Sequence, residues 1–203
     1  NTLIGGLAGD ALTDADFNVA IGVNALSTDT KGSRSTAIGT GALNAQNFAT
    51  TAISYNVAVG YDAGVSVTTG TQNSLVGYNA GGALTDADFN IAIGSNALST
   101  DTLGSKSIAI GTQALNVQNF TTATDAYNVA IGHEAGNAVT TGTLNTLIGG
   151  LAGDAITDGD SNVAVGHTAL GQETRGDRSV AVGAFALQVA NSTTDADVYN
   201  TAV

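Results

Sequence analysis

Three acidic triplets carry the spacing most suggestive of chemistry. Asp14-x-Asp16-x-Asn18, Asp86-x-Asp88-x-Asn90 and Asp158-x-Asp160-x-Asn162 put oxygen-bearing side chains at alternate residues, as the first three ligands of an EF-hand calcium loop are placed. Asp14, Asp16, Asp86, Asp88, Asp158 and Asp160 are therefore candidate Ca²⁺ ligands, and calcium is the one cofactor the sequence suggests. The sixth loop position, however, holds Val19, Ile91 or Val163 where such a loop requires Gly, and no Glu closes it. The competing expectation is a set of solvated acidic turns that keep neighbouring molecules apart.

Other candidate chemistry is sparser. His133 and His167 lie 34 residues apart in equivalent positions, too far along a stack of strands to share one metal ion. Tyr55 and Tyr127 sit on longer loops together with Phe48, Phe120 and Tyr199. On a protruding loop Tyr55 and Tyr127 are candidate contacts for a host-cell surface glycan; the alternative is that these rings fold back to cap the loop. A nucleophile with its base, or paired carboxylates in a pocket, draws non-repeating residues from distant segments. Almost nothing here is non-repeating, every Asp reads as a turn residue, and Glu134 and Glu173 have no evident partner, so the sequence predicts no enzyme.

Repetition governs the composition as well. The 203 residues include 27 Gly but no Pro, Cys, Met or Trp, and their net charge is −12 with only 5 Lys and Arg. So few cations leave no means of neutralising a phosphate backbone, which argues against a nucleic-acid partner. Without Cys there is no disulfide framework or thiolate metal site. No apolar run approaches the roughly 18 residues of a membrane helix, and no secretory leader pattern is present. The chain opens inside one repeat and stops early in another, as expected of a segment from something longer.

The elements that position these residues are rungs beginning at Asn1, Asn18, Ser35, Asn56, Asn73, Asn90, Ser107, Asn128, Asn145, Asn162, Ser179 and Asn200. Their spacing is 17 residues, or 21 after each Ser, which makes a superperiod of 72 and divides one repetitive domain, 1–203, into superrepeats 1–72, 73–144 and an incomplete 145–203. The fifth position of each complete rung is Gly and the eighth Ala, as in the pairs Gly22 and Ala25, Gly39 and Ala42, Gly60 and Ala63, Gly94 and Ala97, Gly111 and Ala114, and Gly132 and Ala135. Val, Ile, Ala and Thr followed by Gly fit a short strand ending in a tight bend, whereas recurrent Gly and β-branched residues and short apolar runs argue against helix. The expected fold is all-β: a parallel β-solenoid, or β-roll, of about 12 short rungs stacked about 4.8 Å apart into a rod of roughly 55 Å.

Alternate strand residues face opposite ways, so the second and fourth positions share a face and the third takes the other. Both faces are apolar in most rungs: Val19 and Ile21 oppose Ala20, and Ile91 and Ile93 oppose Ala92. A strand apolar on both sides is normally covered on both sides. The lumen supplies one cover, and the other calls for a partner chain. Thr at the thirteenth position of every 17-residue rung also raises an ice-binding ladder, interrupted at Asn47, Asn119 and Asn191.

The stretch SKSIAIGTQAL, residues 105–115, resembles the head repeat of YadA-like trimeric autotransporter adhesins, with its pattern Ser-x-Ala-Ile-Gly-x-x-Ala. TTGTQNSLVGYNAG, residues 68–81, resembles repeats of bacteriophage tail fibres and related bacterial surface proteins. The resemblance covers the whole chain and implies a parallel homotrimer of β-rolls, extracellular on a cell surface or a virion tail. The longer period departs from YadA-like heads and favours the tail-fibre type. The expected function is the structural or adhesive shaft of a trimeric fibre that holds a receptor-binding end away from the particle or cell. The alternatives are a subunit of an extracellular filament and an ice-binding solenoid.

Overall fold

A computed structural model describes residues 1–194 and 196–203. Twelve strands form one parallel sheet whose spatial order is the chain order, from Thr2–Ile4 through Val19–Ile21 and Thr36–Ile38 to Val180–Val182 and Thr201–Ala202. Each strand pairs with the next at the same three positions, as in Thr2↔Val19, Ile38↔Val59 and Ile108↔Val129, and the last pair at two of them, Val180↔Thr201 and Ala181↔Ala202. The chain therefore advances one coil per rung, and the sequence register is the structural register. No helix occurs among the described residues. The fold is the expected β-solenoid of about twelve turns.

The 21-residue rungs keep the main sheet in step by diverting their extra residues into small side sheets. Gly32–Ser33 pairs with Ala52–Ile53, Gly104–Ser105 with Thr124–Asp125, and Gly176–Asp177 with Ala196–Asp197. Phe48 and Phe120 fold back beneath these insertions and are buried.

The third strand position points into the coil, where Ala20, Ala37, Ala58, Leu75, Ala92 and their successors are fully buried. The eighth-position Ala residues, Ala25, Ala42, Ala63, Ala97, Ala114 and Ala135 among them, line the opposite wall of the lumen. A lumen this narrow accepts one large side chain at a time. Where the ninth residue is Leu, as at Leu26, Leu43, Leu98 and Leu115, the twelfth is polar, Asp29, Gln46, Asp101 or Gln118, except that Ala190 follows Leu187. Where the ninth is Gly, the twelfth is apolar: Val67, Leu84, Val139 or Ile156. A Cβ on Gly81 would lie 2.7 Å from Leu75 Cδ2 and 2.8 Å from Leu84 Cδ1, so the volume is conserved by exchange between positions.

The fifth-position glycines Gly22, Gly39, Gly60, Gly94, Gly111 and Gly132 hold φ between 133° and 142° and stack directly on their counterparts in the next rung. A Cβ on any of these would press on the carbonyl of the glycine in the next rung.

Inside the coil the first position forms a ladder of amides. Asn90 Oδ1 accepts the Ser107 N–H at 2.9 Å, and Asn90 Nδ2 donates to the Gly104 carbonyl at 2.9 Å. Asn18, Asn56, Asn73, Asn128, Asn145 and Asn162 each donate from Nδ2 to the carbonyl fourteen residues on. Each Asn thus satisfies a buried N–H and a buried carbonyl at the bend leading into the strand.

Candidate functional site

The second and fourth strand positions face outward along the whole sheet, as in the half-buried Val19, Ile21, Ile108 and Ile110 and the more exposed Val57, Val76, Ile93, Ile131, Ile148 and Val182. No Asp, Glu, Lys or Arg stands at either position in any rung, although the chain has 17 acids. The charge is confined to the turns, the side sheets and the lumen. At about 4.8 Å per rung this mostly apolar face runs about 55 Å and is about 12 Å wide, roughly 650 Å² of flat surface, at the upper edge of the roughly 300–600 Å² that the largest patch of a monomer ordinarily spans.

The residue before each rung start flanks this face and forms a column of its own: Phe17, Arg34, Tyr55, Gln72, Phe89, Lys106, Tyr127, Leu144, Ser161, Arg178 and Tyr199. All eleven adopt left-handed backbone, with φ from 48° to 66°. Their side chains stack along the rod. The Arg34 guanidinium lies between the Phe17 ring at 5.5 Å and the Tyr55 ring at 5.8 Å, and Lys106 Nζ lies 5.2 Å from the Tyr127 ring. Arg178 takes the same place over Tyr199 at 5.8 Å. Tyr55 and Tyr127, the candidate glycan contacts, are about half exposed, unlike Phe48 and Phe120 on the same insertions.

The cations of this column differ in their acidic neighbours. Lys106 Nζ is 2.5 Å from Asp125 Oδ2, and that hydrogen bond, followed by the one to Tyr127, raises the ammonium above the ordinary lysine range. Arg178 is paired with Asp197. The equivalent position beside Arg34 is Ile53, and no described carboxylate pairs with Arg34.

On the other margin of the sheet, past the glycine stack, Tyr61 and Tyr78 stack with centroids 5.8 Å apart. His133 and His167 occupy the same column. His133 Nε2 lies 3.8 Å from Glu134 Oε1, and His167 meets the Phe185 ring edge-on at 5.3 Å. The two histidines are not brought together.

The acidic turns spend their oxygens on neighbouring rungs. Asp88 Oδ1 accepts the Thr71 N–H at 2.6 Å and the Thr71 hydroxyl at 2.8 Å, and Asp160 receives Thr143 in the same way. Asp86 accepts from the Thr69 hydroxyl and Asp14 from the Thr51 hydroxyl, while Asp158 pairs with Arg175 at 2.8 Å. The Asp16 N–H donates to Ser33 Oγ. Among the described residues no three His, Cys, Asp or Glu side chains converge as metal ligands.

Not every Asp lies in a turn, which corrects the reading from sequence. Asp29 and Asp101 are fully buried in the coil. Asp101 Oδ1 accepts the N–H groups of Gly104 and Phe120 at 3.0 Å, and Oδ2 accepts from Gln118 Nε2 at 2.6 Å. Glu173 has partners too: its Oε1 accepts the N–H groups of Ser192 at 2.7 Å, Gly176 at 2.9 Å and Thr174 at 3.1 Å. The signal is a coordinated exchange. Asp29, Gln46 and Phe48 in the first superrepeat, and Asp101, Gln118 and Phe120 in the second, become Glu173, Ala190 and Ser192 in the third. The longer acid fills the space of the shorter partner, and Ser179 Oγ, without a Gln to meet it, is left unpaired.

The thirteenth-position Thr hydroxyls donate along the stack, Thr68 to the Thr85 carbonyl at 3.1 Å and Thr140 to the Thr157 carbonyl at 3.0 Å. Their protons are committed within the chain. No family model matches this sequence, and neither the curated proteins nor the solved structures give a match to it.

Proposed function

We propose that the chain is a structural rod, the shaft of a multichain extracellular fibre of the phage tail-fibre or bacterial surface-adhesin type, which spaces a receptor-binding end from a particle or cell. One observation carries this reading: a twelve-stranded sheet that presents a mostly apolar outer face, free of charge along its whole length. Such a face on an acidic chain is best covered by further copies of the same chain, and two faces of roughly 650 Å² would bury about 1,300 Å², within the standard range for a specific interface. The rung pattern resembling YadA-like heads and tail fibres favours three chains. A stiff stack of identical coils held by backbone ladders suits a spacer, and nothing in the arrangement favours catalysis.

Multi-angle light scattering of the purified chain tests the proposal. A mass of three chains, with negatively stained particles narrow and elongated, is the expected result. A single 19.9 kDa species at all accessible concentrations would overturn it.

A further inference from the structure

Tyr61 and Tyr78 stand on consecutive rungs just past the glycine stack, 17 residues apart. Backbone hydrogen bonds clamp these rungs on either side, Gly77 N–H to the Val59 carbonyl at 2.8 Å and Asn79 N–H to the Tyr61 carbonyl at 2.9 Å. The two rings therefore lie one over the other, with centroids 5.8 Å apart and planes within 14°. Both residues are more than half exposed, at 54% and 55%, and neither hydroxyl has a hydrogen-bond partner among the described residues. The rings are thus held together by the backbone while their edges and hydroxyls stay open to solvent. The other three tyrosines are placed differently. Tyr55, Tyr127 and Tyr199 recur at 72 residues, four rungs or about 19 Å apart. Their hydroxyls are engaged, by Arg34 Nη1 at 3.3 Å, by Lys106 Nζ at 3.2 Å and by the Asp197 carboxylate at 3.3 Å. Composition sharpens the contrast. With no Cys, Met or Trp in the chain, the side chains that ordinarily take up an oxidant first are missing, and tyrosine is left as the easiest to oxidise.

We infer that Tyr61 and Tyr78 form an oxidative cross-linking site, joined ring to ring as dityrosine by a one-electron oxidant of the peroxidase and hydrogen peroxide class. Each phenol gives one electron to the oxidant and its hydroxyl proton to water, which leaves two phenoxyl radicals. One C–C bond then forms between ring carbons ortho to the two oxygens. The hydrogen on each of those carbons leaves as a proton and the oxygen takes one up from solvent, which restores both aromatic rings. Two electrons and two protons depart in all, and one hydrogen peroxide is reduced to two waters. Both rings are free to swing about their side-chain bonds, so an ortho carbon of one reaches the other without movement of the backbone. The product is a covalent tie across the junction of superrepeats 1–72 and 73–144 that closes a loop of 17 residues, in a chain that no disulfide can tie. This site is complete within one chain, so it stands whether or not copies associate.

The purified chain is treated with a peroxidase and hydrogen peroxide, run on a denaturing gel, and digested with a protease that cleaves before aspartate. Cleavage at Asp62 and Asp86 puts Tyr61 and Tyr78 on separate peptides. The expected result is these two peptides joined, at their summed mass less two hydrogen atoms and with the blue fluorescence of dityrosine, in material that runs as a single chain. Tyr55 shares a peptide with Tyr61, so three variants assign the link. The joined peptide should be lost in Tyr61→Phe and in Tyr78→Phe and kept in Tyr55→Phe, with circular dichroism showing the same β signal in all three. Links that form only between chains, a joined peptide that survives Tyr61→Phe, or a treated parent without dityrosine would each overturn the inference.

Discussion

Replacing Gly94 by Ala tests whether the rungs stack as tightly as the glycine column requires. Gly94 has φ +134°, and an added Cβ would lie 2.5 Å from the Gly111 carbonyl oxygen and 2.6 Å from its carbon. Relieving the first contact to an ordinary 3.4 Å opens the stack by 0.9 Å, against backbone that cannot rotate aside. Two ladder bonds hold that opening shut, Gly111 N–H to the Ile93 carbonyl at 2.7 Å and Gln113 N–H to the Ser95 carbonyl at 2.9 Å. The unusual φ costs an L-residue about 1–3 kcal/mol, and weakening two hydrogen bonds adds about 0.5–1.5 kcal/mol each, for a total of about 2–6 kcal/mol. Gly183 is the internal control. It has φ +124°, but in this 203-residue chain a Cβ there meets nothing within 4 Å, so Gly183→Ala should cost only the conformational part, about 1–3 kcal/mol. At about 2–4 °C per kcal/mol for a chain of this size, thermal unfolding followed by circular dichroism at fixed protein concentration should place Gly94→Ala clearly below Gly183→Ala. If the two variants melt together, or if Gly94→Ala matches the parent, the close stacking inferred for the glycine column is wrong.

Two further predictions follow from buried polar groups. Asn90→Ala removes the acceptor for the Ser107 N–H and the donor to the Gly104 carbonyl, leaving two buried backbone groups without partners, and should cost about 2–6 kcal/mol in urea unfolding; a loss below about 1 kcal/mol would count against the amide ladder as a stabilising element. Asp154 Oδ1 is buried without a partner, and its carboxyl is pushed above the ordinary aspartate range, chiefly by burial and secondarily by Glu134. A carboxyl whose folded pKa lies above its unfolded value lowers stability as pH rises from the unfolded to the folded pKa, and the deficit persists above both. Asp154→Asn should therefore melt higher than the parent at neutral pH, with the difference closing as pH falls below the carboxylate range; a difference independent of pH would refute the assignment.

The sequence made the periodic part of this molecule readable because one physical constraint recurs in every rung. Stacked backbones about 4.8 Å apart admit only Gly at the corner, and a narrow lumen admits only Ala at the eighth position, so Gly22, Ala25 and their counterparts reveal the coil directly. The alternation of Val19, Ala20 and Ile21 likewise divides inside from outside. What stayed hidden obeys no residue preference of its own. Phe17, Arg34, Tyr55 and Leu26 are poor left-handed residues, yet the stack forces positive φ on them, because their neighbours' hydrogen bonds fix the bend whatever side chain stands there. Asp29 and Asp101 read as turn residues because buried carboxylates usually come with cations, whereas here backbone N–H groups and a Gln amide take that role. Their burial is visible in sequence only through exchange: wherever the ninth residue is Leu and the twelfth polar, the lumen holds a hydrogen-bonded layer in place of an apolar one. The same reasoning reaches the outer face. Residues inside the coil vary by compensation between neighbours, but the second and fourth strand positions vary only among Val, Ile, Thr and Ser, and never admit a charge in an acidic chain. A surface open to water would be under no such restriction, so a strictly uncharged face along every rung has the residue pattern of an interior, and it is on this pattern that the proposed association of copies rests.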